Sequence, residues 1–385
     1  MGGIFMDVEN IRAFVIDVPQ SALDDLQDRL ARTRWPEKET VGDWDQGVPL
    51  AYAQELAAYW RGEYDWRTVE ARLNALPNYL ATIDGLDVHF LHIRSVNPAA
   101  RPLVLTHGWP GSVLEFLDVI EPLSRDYHLV IPSLPGYGFS GKPTAAKWSV
   151  EHIGAAWDAL MVALGYERYF AQGGDWGSAV TCAIGMNHAD HCAGIHVNMV
   201  VGAPPPDLMN DLTDAEQLYL ARFGWYQAKD SGYSTQHATR PQTIGYALTD
   251  SPVGQMAWIA EKFHGWTDCG HQPGGQSIGG HPEKALSKEA MLDTISLYWL
   301  TASAASSARL YWHSFRNFAA GEILVPTGCS LFPNEIMRLS RRWAERRYKN
   351  IVHWNELPRG GHFAAWEQPE LFASEVRAAL AKMDL

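Results

Sequence analysis

Gly173-Gly174-Asp175-Trp176-Gly177 follows directly on a β-rich stretch, residues 169–171, and precedes a stretch of helical character. Small residues two places before and two places after a central polar residue are what a sharp strand-to-helix turn requires. The chain folds back so tightly there that larger side chains collide, and the central side chain is thrust into the pocket above. Hydrolases carry an attacking residue on such an elbow, and here Asp175 stands where serine is usual. Taken alone, the stretch is a Gly-rich turn with an incidental acid. Its surroundings decide between the two readings.

Strand-like segments are expected at residues 86–93, 103–106, 128–131, 169–171 and 194–199, with helical segments between them. One of those helices is well marked: Ser149 can cap it, Val150, Ile153, Trp157, Leu160 and Leu164 recur at helical spacing, and Gly165 ends it. Strands alternating with helices predict a mostly parallel central sheet with helices on both faces. From residue 203 the alternation stops. The run Pro204-Pro205-Pro206 leads into aromatic helical stretches and a Gly-rich loop at residues 269–280. Strand character returns at 323–327 and 351–354, and a last amphipathic helix carries Phe372, Val376, Leu380 and Met383. Before the first strand, Ser21 is expected to cap a helix bearing Leu23, Leu26 and Leu30, which stops ahead of Trp35-Pro36. The rest, to about residue 79, reads as short helices joined by loops. The organisation is an N-terminal helical extension over 1–82, an α/β core over 83–202, a helical lid over 203–320 and the end of the core over 321–385.

The chemistry-bearing residues fall in an order that fits an α/β-hydrolase fold. His107-Gly108-Trp109-Pro110-Gly111 follows the strand at 103–106, and the loop after that strand supplies one oxyanion-hole amide. The second amide belongs to the residue after the nucleophile, so the expected donors are the backbones of Trp109 and Trp176. The Trp109-Pro110 bond is expected cis, which aims the first amide inward. Pro135-Gly136-Tyr137-Gly138-Phe139-Ser140 is a further turn after the next strand. A nucleophilic carboxylate forms an ester that must be hydrolysed, so a base has to activate water. His362 follows the last expected strand, and Glu335 is the only acid between the strand at 323–327 and Arg338. Asp175, Glu335 and His362 therefore read as nucleophile, orienting acid and base.

Composition narrows the classes. With 385 residues, 46% hydrophobic and 19% charged, the chain can bury a large core, and its net charge of −13 argues against nucleic acid, whose phosphates need a basic face. The opening stretch shows no signal peptide, no run of eighteen apolar residues suggests a membrane span, and the four cysteines lack paired spacing; a soluble cytoplasmic protein is expected. His188 and His191 lack a partnering signature, and His89 and His92 lie three apart on a strand, facing opposite sides. No metal and no cofactor is expected. Oligomeric state is not legible. Sixteen tryptophans suit a pocket for a bulky apolar ligand, although most serve packing.

From about Phe14 to the C-terminus the chain resembles the microsomal-type epoxide hydrolases, in their soluble bacterial branch. The resemblance rests on Arg34-Trp35-Pro36, Tyr64-Asp65-Trp66, HGWPGS from His107, PSLPGYGFSGKP from Pro132, AQGGDWG from Ala171, DSPVG from Asp250, SARLYW from Ser307 and RGGHFAAWEQPE from Arg359. It implies Asp175 as nucleophile, Glu335 as acid and His362 as base. It further implies two lid tyrosines on the epoxide oxygen, Tyr311 in SARLYW and Tyr233 in Ser231-Gly232-Tyr233, with Tyr226 and Tyr298 as rivals for the latter. The membrane anchor of the animal enzymes is expected to be absent. The expected partners are an epoxide and water, the epoxide bulky and apolar or aromatic. A haloalkane dehalogenase shares the Asp nucleophile, the following Trp and the histidine, and stands as the rival enzyme. A non-catalytic binding homologue is the rival of another class; loss of one triad member would mark it, and all three are present.

Overall fold

Leu103 and Leu105 lie in one hydrophobic core and Val104, between them, in another. Leu129 and Ile131 likewise separate from Val130, and Phe170 from Tyr169 and Ala171. Side chains alternate across a strand, so apolar residues at every position mean a sheet buried on both faces. The computed structural model, which describes residues 6–270, 280–316 and 320–385, has that sheet at its centre. Among the described residues it has nine strands: β1 (Val8–Ala13), β2 (Asn78–Ile83), β3 (Leu86–Ile93), β4 (Arg101–Thr106), β5 (Tyr127–Pro132), β6 (Tyr169–Gly173), β7 (Cys192–Val197), β8 (Thr327–Leu331) and β9 (Ile351–Glu356). Their order is β1-β2-β3-β5-β4-β6-β7-β8-β9. From β5 to β9 the neighbours run parallel, and β1, β2 and β3 add an antiparallel margin.

The helices Val150–Ala163 and Trp176–Asn187 pack on one face, and Leu117–Ser124 and Pro369–Leu380 on the other. Ser149 caps the first of these, its hydroxyl accepting from the His152 amide, and Gly165 takes a φ of 90° beyond its end. Between β7 and β8 the chain runs through helices Asp214–Trp225, Gly232–Thr239, Pro241–Asp250, Pro252–Trp266, Lys288–Leu300 and Ala304–Ser314. Residues 271–279 of the Gly-rich loop lie outside the described residues.

Three expectations need correction. The N-terminal extension is not purely helical. Besides helices Gln20–Ala31, Leu50–Gly62 and Trp66–Asn74 it contributes β1 and β2 to the sheet. β1 faces solvent over much of its length, so no alternation of apolar residues announces it. Ser21 does not cap the first helix: Pro19 stands at the N-cap, its carbonyl accepting from the Ala22 amide, two residues before the expected cap. The strand expected at 323–327 lies at Thr327–Leu331, with Ile323 making only an isolated bridge to Tyr348. Pro326 has no N–H to donate, so the ladder to β9 begins after it.

The extension shares the central core. Leu56 is fully buried in the same cluster as Val104, Ile153 and Tyr311, and the Trp60 indole donates to Ser296 Oγ at 2.9 Å. Leu56→Ala should therefore cost the whole molecule about 2–5 kcal/mol. Urea unfolding followed by circular dichroism should show one transition at a lower midpoint. An unchanged midpoint would mean the extension folds apart from the core.

Candidate active site

The elbow forms where β6 gives way to the helix Trp176–Asn187. Asp175 is held at φ 50°, a left-handed conformation rare outside glycine. A Cβ at Gly177 would collide with the Thr106 carbonyl, and one at Gly173 with the Gly177 carbonyl, so both flanking positions must be glycine. Trp176 is the first residue of the helix. First-turn amides have no carbonyl partner within a helix and suit an anion placed there.

The loop after β4 meets the elbow from the side. Its Trp109 amide donates to Asp175 Oδ1 at 2.8 Å, and the Trp109–Pro110 peptide is cis. A Cβ at Gly108 would fall on the Asp175 carboxylate. His107 braces this loop. Its Nε2 accepts from the Leu134 amide at 3.0 Å, which leaves Nδ1 to donate to the Gly108 carbonyl at 2.9 Å. Burial lowers its pKa to about 4 and keeps it neutral.

His362 Nε2 lies 3.2 Å from Asp175 Oδ2, and its Nδ1 lies 2.7 Å from Glu335 Oε1, with histidine and Glu335 side chains almost wholly buried. Burial alone would lower the imidazole pKa. The Glu335 charge and hydrogen bonds to both carboxylates outweigh it and hold His362 protonated well above its ordinary value. The loops bearing the pair are clamped by two further acids. Asp268 accepts from the Gly360 amide and the Asn334 side chain, and Glu367 accepts from the Asp268 and Phe363 amides. The His362 amide itself donates to the Trp266 carbonyl at 2.9 Å.

The inserted helices bring both expected tyrosines to this place. Tyr311 stands edge-on to Trp176, ring centroids 4.7 Å apart, and Tyr233 stacks on Trp109 at 4.9 Å. The two phenol rings meet at 5.8 Å. The Tyr311 hydroxyl is buried with no well-formed hydrogen bond to the protein. Burial, then the neighbouring phenols and Asp175, raise Tyr233 well above its ordinary pKa; burial and Asp175 do the same for Tyr311. Both are neutral phenols able to donate. Of the rivals, Tyr226 shares a 3.1 Å hydrogen bond with Tyr233, and Tyr298 donates to the Gly111 carbonyl at 2.9 Å, away from the pair. The helix carrying Tyr311 is pinned to the turn after β5, with Tyr137 donating to the Ser307 carbonyl and Ser306 to the Gly136 carbonyl.

Sequence reasoning missed the support under Tyr233. Lys262 is buried beneath it, its ammonium 4.6 Å from the ring centroid and 2.6 Å from Asp230 Oδ1; the Trp266 indole donates to Asp230 Oδ2 at 2.6 Å. Asp230 closes a π-helical turn, Tyr226–Asp230. A lysine and an aspartate in an inserted helical region look like solvated surface, and only their burial distinguishes them. The paired histidines have partners of their own: His188 and His191 face Asp158, His89 bonds Ser133 and Asn78, and His92 bonds the Tyr166 hydroxyl. Gly275-Gln276-Ser277-Ile278-Gly279 has the spacing of a serine elbow but lies outside the described residues. Among the described residues no helix is long and apolar enough to cross a membrane.

Fold and elbow define an α/β hydrolase with an aspartate in the nucleophile position. The chain matches two families, one described as "Epoxide hydrolase N terminus" over residues 11–116 and one as "alpha/beta hydrolase fold" over residues 101–243. It is 52% identical to a putative epoxide hydrolase of Stigmatella aurantiaca, over 97% of this chain and 85% of that protein. It is 33% identical to epoxide hydrolase 1 of Oryctolagus cuniculus, over 96% and 89%. The solved structure of the Aspergillus niger epoxide hydrolase superposes with a TM-score of 0.87 at 31% identity, covering 97% of both chains. The chain belongs to the microsomal-type epoxide hydrolase family and is an epoxide hydrolase. The dehalogenase and the non-catalytic binder give way to this assignment.

Asp230→Ala removes the nearer of the two carboxylates on the buried Lys262 ammonium, leaving Glu261 at 3.0 Å, and should cost up to about 3–5 kcal/mol, whereas replacing both Asp230 and Lys262 by apolar residues should recover much of it. Thermal unfolding of the single and double variants checks this; equal losses in both would show that the pair is not coupled.

Proposed function

We propose that this enzyme opens a bulky apolar or aromatic epoxide through a covalent ester on Asp175, with residues 203–320 serving as the lid that carries the proton donors. The observation that carries the reading is His362 lying between two carboxylates, with the Tyr233 and Tyr311 phenols packed on Trp109 and Trp176 of the same site.

In the first step Asp175 attacks a ring carbon. The ring C–O bond breaks, and the oxygen, becoming an alkoxide, takes a proton from Tyr233 or Tyr311. An alkoxide is a poor leaving group, so these donors matter most here. Esterification then changes the field at His362. One of its two flanking charges is gone and the imidazolium loses its support; its proton passes to the phenolate left by ring opening, which restores the tyrosine and leaves the neutral ring available as a base. Glu335 keeps it oriented. His362 takes a proton from water, whose oxygen attacks the Asp175 carbonyl carbon, and the resulting oxyanion rests on the Trp109 and Trp176 amides. Collapse releases a vicinal diol, whose oxygen takes the proton from His362, and the acid left on Asp175 then gives its proton to the imidazole, restoring the carboxylate and the imidazolium. The aromatic surroundings of Asp175, with Trp109, Trp176, Trp266, Tyr233 and Tyr311 all buried, favour an apolar or aromatic substituent.

Asp175→Ala should abolish diol formation. In oxygen-18 water, repeated turnover of the unaltered enzyme should leave label on Asp175, because water attacks the carbonyl carbon; label appearing only in the diol would establish direct hydration instead. His362→Gln should still form the ester and then stall, which intact mass reads as an increase of one epoxide. A purely structural His362 would slow turnover with no adduct. Tyr233→Phe and Tyr311→Phe should each slow ester formation by up to about 10²–10⁴-fold and leave ester hydrolysis near normal, while the double variant should fall further. Rapid-quench kinetics on a panel of aryl and alkyl epoxides separates the steps and identifies the substrate class; normal turnover by the double variant would remove the tyrosines from the reaction.

A further inference from the structure

A small cavity lies beside Asp175. Its volume is about 20 Å³, and it is bounded by Gly108, Glu115, Gly174, Asp175, Asn198 and His362, with Phe116, Phe363 and Phe372 also in its lining. That is room for one water molecule. Neither Tyr233 nor Tyr311 borders it, so the cavity and the proton donors of ring opening meet Asp175 from different directions. Glu115 sits on the single turn Val113–Phe116, which Ser112 caps by accepting from the Leu114 amide at 3.2 Å. It therefore belongs to the same loop as the oxyanion-hole residue Trp109. Its Oε1 is buried and has no hydrogen-bond partner in the protein. A buried acceptor left unmatched beside a polar, water-sized cavity calls for a water.

We propose that this cavity holds the water that hydrolyses the Asp175 ester and that Glu115 is its positioning residue. The inference rests on the ester mechanism above. The water donates one proton toward His362 Nε2 and the other to Glu115 Oε1, which turns an oxygen lone pair to the Asp175 carbonyl carbon. The new C–O bond forms there as His362 takes the first proton. Collapse breaks the bond between that carbon and the diol oxygen, which receives the proton from His362, so atoms and charge balance. The groups facing Glu115 are Asp175, His362, the Gly108 amide and Tyr298. Burial pushes the Glu115 carboxyl up to about 8, with His362 opposing the rise and Asp175 adding to it. At neutral pH the group is uncharged and still accepts; above about 8 it places a negative charge beside the developing oxyanion.

Single-turnover kinetics of the full-length enzyme with an aryl epoxide tests this, reading ester formation and ester decay separately by rapid quench and intact mass. Glu115→Ala should form the ester within about threefold of the unaltered rate and hydrolyse it about 10- to 100-fold more slowly, the scale of one lost hydrogen bond to a buried polar group. Glu115→Gln keeps an uncharged carbonyl acceptor in place and should restore most of the decay rate. It should also lack the fall in decay that the unaltered enzyme shows as pH rises through about 8. Ester decay at the unaltered rate in Glu115→Ala, an equal loss in both steps, or a Gln variant as slow as Ala would each overturn the proposal. The ester reading itself is judged apart from this, on whether His362→Gln accumulates the adduct; should Glu115→Ala fail to fold, the decay rate and pH profile of Glu115→Gln decide.

Discussion

The imidazole of His362, wedged between Asp175 at 3.2 Å and Glu335 at 2.7 Å, is the contact on which the remaining architecture depends. A buried cation would be expelled by desolvation if it had one carboxylate at poor geometry. Two carboxylates with good geometry hold it. Their supports are drawn from distant parts of the chain: the elbow after β6, the loop after β8 and the loop after β9. A parallel sheet brings the C-terminal ends of its strands to one edge, and that is where the three loops meet. In the proposed mechanism the same charge arrangement serves two steps, because it favours imidazolium while Asp175 is ionised and ceases to do so once Asp175 is esterified.

The inserted helices carry the second half of the site, and their position is secured by polar contacts buried at high cost. Lys262, Asp230 and the Trp266 indole form one network below Tyr233. Asp268 and Glu367, the latter raised to about 8 by burial, tie the chain just after the helix Pro252–Trp266 to the loop holding His362. Such groups contribute little net stability compared with apolar packing. They fix orientation, which is what the role proposed for the Tyr233 and Tyr311 phenols requires. The tryptophans do related work: Trp109 supplies an amide to Asp175 and a ring face to Tyr233.

Much of this was legible in the chain. The elbow, the His107 loop and the order Asp175, Glu335, His362 depend on local turn chemistry and on strands buried on both faces, which apolar runs reveal. Tyr311 and Tyr233 were identified through the resemblance of their surrounding motifs, and the inserted helices bring both beside Trp109 and Trp176. β1 gives no sequence signal because a partly exposed edge strand has no hydrophobic period, and β8 lies beyond its expected place because Pro326 has no N–H to donate while Gly328 and Ser330, poor strand formers, pair with β9.

By itself, then, the sequence determined the fold class, the elbow aspartate and its histidine, since each follows from steric demands within a few residues of chain. Tertiary structure alone decided what depends on burial and on long-range approach. Nothing local distinguishes Lys262 from a surface lysine or Glu115 from a solvated acid. Each acquires its character from neighbours that the sheet and the inserted helices bring from far along the chain, where water is excluded and one unmatched oxygen is costly.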